Sequence, residues 1–408
     1  MMETKFRCQF EIWNYTLFIF IIIFFYLGDA LRKIAHHFEW VFYKYTTLSK
    51  IIALVLMISF VFIYWKNYIN QKKLVLYILI LIGIYVLGQF FLIGLDRIEN
   101  FTQNLEFLGK YLYFPIFCVV FYPLIGKGDY LNKALVVFEV IFFINVFFIF
   151  YGFLTGSDLF KTYYYGSRLG YNGFFGKSGQ TSYYFIILLF YYYRRLMINF
   201  NKLDLIKLSI LILSSFLVGT KKIFFFIPVF LIYHLLTSKL TRKKVLVFIG
   251  IAGSIFTILF YEKLKVFAIE IFRLFYKIYE ENGFLSSLTS YRNDKLVETF
   301  KSYVGPHWSL SNYFIGGGSF QDYLYISGMD LIDLYLFFGV VGLCIYAIIY
   351  RRFLRFDFKD SFNILFVVTI FTMAFISGGF FYEPSVNLLF FLIVPILSKL
   401  KISNKVCY

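Results

Sequence analysis

Charged residues are few in this chain. They fill 15% of its 408 positions against 60% hydrophobic, and the mean hydropathy is +0.74. A soluble domain cannot cover itself with so little polar surface. Histidine and cysteine are scarce as well, with four of each. Cys8, Cys118, Cys344 and Cys407 fall in apolar runs or near the ends, and no spacing suits a disulfide or a metal. No serine–histidine–acid arrangement can be argued. The glycine triplet 316–318 has no Walker lysine after it, so it is weak evidence for phosphate binding. No metal and no cofactor are expected. The first apolar run lacks a small-residue cleavage site and is expected to be a retained helix. Two pseudo-repeated halves, which many transporters show, are also missing.

What the chain does have is apolar runs of about 18 residues, recurring from end to end. They are continuous rather than alternating, which argues against a β-barrel. The expected fold is therefore an all-α polytopic membrane protein, a single transmembrane domain over 1–408. Twelve spans are expected, near 12–29, 50–65, 74–94, 107–125, 133–155, 179–193, 204–219, 222–238, 245–261, 329–350, 361–379 and 385–399.

The net charge is +17. Its lysines and arginines crowd alternate short loops, such as Lys239–Lys244 and Arg351–Lys359. That is the positive-inside pattern, so no nucleic-acid partner is expected and both termini are placed in the cytoplasm. The segment 30–50 is an exception, with Arg32, Lys33, Lys44 and Lys50 on the outer side. With its aromatics it is expected to lie in the membrane interface.

The stretch Leu205–Leu236 tests this count. As one helix its 32 residues would reach about 48 Å, beyond the roughly 30 Å hydrocarbon core. It would also carry Lys239–Lys244 outside. Two spans, turning at Gly219-Thr220-Lys221-Lys222, keep them inside. Lys221 and Lys222 then sit at an outer turn and are expected to line a polar cavity. Snorkelling to the interface is the plainer alternative.

Two outer loops are long. The first, 157–178, leads into "YYYGSRLGYNGFFGKSGQTSYYF" and offers Arg168, Tyr171, Asn172 and Lys177 beside several glycines. The second, 262–328, opens with an amphipathic helix. Glu270, Arg273, Lys277 and Glu280 share one face, while Val266, Phe267, Ile271, Leu274, Phe275 and Ile278 mostly cover the other. Asp330 and Asp333 follow at the mouth of the tenth span, one turn apart. Either they favour the helix dipole or they serve a site. With Arg168, Lys221, Lys222 and Arg292 they form an outer group of charges that suits an anionic substrate such as a phosphate or pyrophosphate.

The span pattern and three segments resemble the bacterial O-antigen and capsular-polysaccharide polymerases (Wzy family), relatives of the O-antigen ligases. The segments are "GSRLGYNGFFGKSGQT", "LVGTKK" and "GGGSF…MDLIDLYLFFGVVG". The resemblance implies a glycosyltransferase that joins oligosaccharide repeats carried on undecaprenyl pyrophosphate at the outer leaflet of the inner membrane. It implies membrane lipid and a possible chain-length regulator protein as partners. Arg168, Lys221, Lys222, Tyr171 and Asn172 would then hold pyrophosphate and sugar, and Arg292, Asp330 and Asp333 would be catalytic. Ligases carry a histidine where this chain reads "SGMDLIDLY". That departure favours a polymerase over the ligase alternative and leaves the general base open. A flippase is the reading from another class.

Overall fold

A computed structural model describes residues 2–163, 170–237, 244–319 and 326–400. The described residues form helices and no strand, with one isolated bridge between Lys161 and Tyr171. In chain order the helices are α1 Met2–His37, α2 Tyr45–Ile63, α3 Lys72–Phe90, α4 Arg97–Val120, α5 Tyr122–Ile125 and α6 Gly128–Thr155. Then come α7 Ser178–Ile198, α8 Lys202–Leu217, α9 Lys221–Thr237, α10 Lys244–Leu259, α11 Tyr261–Thr289 and α12 Arg292–Thr299. The last five are α13 Gly305–His307, α14 Leu310–Ile315, α15 Asp330–Phe353, α16 Ser361–Ile376 and α17 Pro384–Lys399.

Four helical stretches are long and apolar enough to cross a membrane: Tyr45–Ile63, Trp65–Phe90, Asp129–Thr155 and Asp330–Phe353. Two shorter helices, Ser361–Ile376 and Pro384–Lys399, are also apolar. The protein is thus an all-α, membrane-embedded one. Each of the twelve apolar runs read from the sequence overlaps at least one helix among the described residues, and four of those helical stretches meet the length and apolarity needed to cross.

The core is built from helices that are buried on every side. Residues 111–121 of α4 and just beyond, 180–194 of α7 and 383–397 at α17 are buried without a break. Aromatic rings fill the space between them. Phe114 stacks on Tyr350 with centroids 4.1 Å apart, and Phe353 stacks on Phe391 at 5.1 Å. The outer helices turn large apolar side chains away from this core, such as Val55 and Phe62 on α2, Leu79 on α3, Phe147 on α6 and Ile232 on α9. In water such faces would aggregate; in a bilayer they match their solvent.

The segment 205–236 is two helices. Gly219 takes a φ of +69° between α8 and α9, a conformation that glycine adopts at little cost. Lys221 and Lys222 therefore open α9. The amphipathic segment is helix α11, which bends at Gly283 (φ +80°). Phe267 and Ile278 face inward from it, while Val266 is exposed. The region 30–50 is mostly helical. Helix α1 continues to His37, and α2 begins at Tyr45.

Candidate functional site

The site lies where α7, α9, α12 and α17 begin. Helix α7 starts at Ser178 after "GFFGK", with Lys177 in extended backbone and no side chain capping the first turn. The leading amides of such a helix have no partner within it and carry the positive end of its dipole. They face two adjoining cavities of about 320 and 430 Å³, which share Ser178, Gly179, Arg292 and Gly378 in their walls. Lys177, Gln180, Tyr382 and Glu383 line the first, and Lys221, Lys222, Thr220 and Ser182 line the second.

Lys222 is 6% exposed. Its ammonium donates to the Gly378 carbonyl and sits 4.2 Å from the centre of the Tyr183 ring. Lys221 points another way, donating to the Ser287 carbonyl beside the Phe275 ring. Arg292 begins α12 immediately after Ser290 and Tyr291, both in left-handed backbone (φ +57° and +64°). Non-glycine residues seldom hold that conformation, and strain of this kind gathers at functional sites. Here the pair is fixed by Asn293, which reaches Thr289 at 2.5 Å and Ser286 at 2.9 Å. Gly328 allows the guanidinium its place: a β-carbon there would meet Arg292 Nε at 2.9 Å.

Asp330 and Asp333 are fully buried. Asp330 accepts from the amides of Gly379, Phe380 and Phe381, the first at 2.8 Å and the last at 3.1 Å. Asp333 accepts from the Ser327 amide and hydroxyl at 2.9 and 2.7 Å, and from the Gly328 amide at 3.0 Å. Both carboxylates are occupied in holding the two glycine loops, 327–329 and 378–381, that wall the cavities. Buried acceptors satisfied in this way order a loop.

The carboxylate that does face a cavity is Glu383. Its side chain is 1% exposed, 3.0 Å from Lys50 Nζ, and ion-paired with Lys177. Burial by itself would raise its pKa, but Lys177 and Lys50 outweigh that effect and hold it below the usual carboxylate range.

Tyr171 and Asn172 are placed elsewhere, buried behind the cavities. Asn172 accepts from Lys33 and donates to the Phe175 carbonyl at 2.8 Å, so its amide holds the loop rather than a ligand. The Tyr171 amide donates to the Leu217 carbonyl at 2.7 Å. Arg168 lies outside the described residues. The structure thus places Lys222 and Arg292 at the shared cavity wall with Lys221 on the same cavity but turned toward Ser287, sets Asp330 and Asp333 in the loops behind them, and leaves Tyr171 and Asn172 in support.

Sequence reasoning missed Glu383, Lys50 and the start of α7. The last had a signal, Gly176-Lys177-Ser178-Gly179 directly before an apolar run, since small residues there leave the helix end open to an anion. No group of three or more histidine, cysteine or acidic residues could hold a metal ion among the described residues. No family model matches the chain, and no curated protein or solved structure matches it either.

Proposed function

We propose that this chain is a membrane glycosyltransferase that polymerises oligosaccharide repeat units carried on undecaprenyl pyrophosphate. The observation that carries the reading is the convergence of three cations, Lys177, Lys222 and Arg292, on the uncapped start of α7. A helix N-terminus beside fixed positive charge is a site for a phosphate-like anion. The adjoining apolar wall of Phe225, Val229, Met373 and Ile376 suits a lipid tail next to it.

In this reading the twelve apolar helices all span the bacterial inner membrane. The loop 262–328 lies outside and both termini lie in the cytoplasm. The donor's anomeric carbon–oxygen bond to the pyrophosphate breaks, and the electron pair leaves with the pyrophosphate. Lys177, Lys222, Arg292 and the α7 amides stabilise the charge gathering there. A sugar hydroxyl of the incoming unit forms the new bond, and its proton passes to solvent water. Glu383, ionised between two lysines, is a weak base but a good acceptor for that hydroxyl. Asp330 and Asp333 position the cavity walls.

Deletion of the gene in its host, with complementation, tests the reading. Loss should leave lipid-linked single repeats, and the intact gene should restore long polymer. Normal polymer in the deletion strain would refute the proposal.

A further inference from the structure

A second charged cleft lies far along the helices from the candidate site. It is formed by the turn after α4 and by the C-terminal ends of α15 and α17, and holds about 310 Å³. Arg352, Arg355 and Lys399 surround it, and no carboxylate lines it. None of the three pairs with an acid among the described residues. The acids that follow Arg355 in the chain are otherwise engaged. Asp360 pairs with Arg194, and Asp357 accepts from the Lys359 amide at 3.0 Å.

Two of the three arms are held in place. The Arg355 guanidinium donates to the Tyr122 hydroxyl and lies 5.4 Å from the centre of that ring. Lys399 Nζ reaches the Ile125 carbonyl at 3.4 Å. Beneath them the wall is apolar, with Ile125, Phe353 and the buried Pro395. Cations at helix C-termini satisfy the dipole, but that does not require three of them around one concave surface. Positive charge over an apolar wall, at the rim of a membrane-embedded bundle, fits one class of ligand.

We propose that this cleft binds the phosphate of an anionic glycerophospholipid, with the first part of an acyl chain against Phe353 and Ile125. The inference rests on the membrane-embedded helical fold and not on the glycosyltransferase reading. A basic pocket between membrane helices is the usual way such headgroups are held.

The test uses the full chain, purified in mild detergent and stripped of lipid. Native mass spectrometry then counts molecules retained from added dioleoylphosphatidylglycerol or dioleoylphosphatidylcholine. The wild type should retain one phosphatidylglycerol and prefer it over phosphatidylcholine. The triple variant Arg352→Gln, Arg355→Gln, Lys399→Gln should bind it at least about tenfold more weakly, since each charge near a lipid surface contributes several-fold. Should the triple variant not fold, the single variants Arg352→Gln and Lys399→Gln should each show a loss of about fivefold by the same scale. Lys359→Gln, an exposed residue of the adjacent loop outside the cleft, should change nothing. Equal retention of phosphatidylcholine, or an equal loss in Lys359→Gln, would overturn the site. If millimolar inorganic phosphate raised the melting temperature as much as phosphatidylglycerol, the cleft would be a free-anion site and the lipid assignment would fail.

Discussion

Arg292 combines strain and charge at one point. Two left-handed residues precede it, and a glycine without room for a β-carbon faces it. Arg292→Ala should cost about 2–4 kcal/mol of transition-state stabilisation, read as a loss of polymer with protein level unchanged. Arg292→Lys should also fail if the guanidinium grips two oxygens at once, because an ammonium cannot reproduce the fork. Gly328→Ala probes the same contact from the other side. A methyl group there meets Arg292 Nε and sits at φ +77°, a conformation that costs an L-residue about 1–2 kcal/mol. Activity should fall with Gly328→Ala although no charge is removed. Unaltered polymer length in both Arg292→Ala and Gly328→Ala would remove Arg292 from the site. Glu383→Gln is a different kind of change. It leaves Lys50, itself buried, without its partner, and breaking a buried pair costs about 3–5 kcal/mol. Thermal unfolding of the detergent-solubilised variant should show the loss directly.

At the scale of elements, the α8–α9 turn was legible and the α7 start was only partly so. Length and charge parity placed the turn at Gly219–Lys222, because both follow from bilayer thickness and loop charge alone. Asp330 and Asp333 were legible as a helix start. Their work on the amides of residues 327–328 and 379–381 was not: Asp330 depends on a loop about fifty residues away, and Asp333 on the fold of the short loop just before the helix. Glu383 and Lys50 are 333 positions apart, and no local pattern joins them. Two of the four exceptional cations of segment 30–50 now have a cause. Lys50 pairs with Glu383, and Lys33 donates to Lys161, Asn172 and Gly173. In the proposed topology these two lie on the outer side, where they brace the site. The topology has its own test. In a background without Cys8, Cys118, Cys344 and Cys407, cysteine at the exposed Glu281 should react with an impermeant thiol reagent applied outside. Cysteine at the exposed Asp357 should not. The reverse pattern would invert the protein and move the cation cluster to the wrong leaflet.

At the scale of the whole molecule, three fully buried segments in α4, α7 and α17 make a rigid centre, and the site sits at the end where α7 and α17 start. In the proposed reading, that placement would let a lipid carrier approach from the bilayer while its pyrophosphate meets a helix start fixed by the core. The most direct test uses the purified chain in proteoliposomes, supplied with the undecaprenyl-pyrophosphate-linked repeat extracted from its host. The account predicts a ladder of lengthening glycans, with one undecaprenyl pyrophosphate released for each bond made, and neither product from folded Arg292→Ala. An absence of release from the wild type, or equal release from Arg292→Ala, would contradict it.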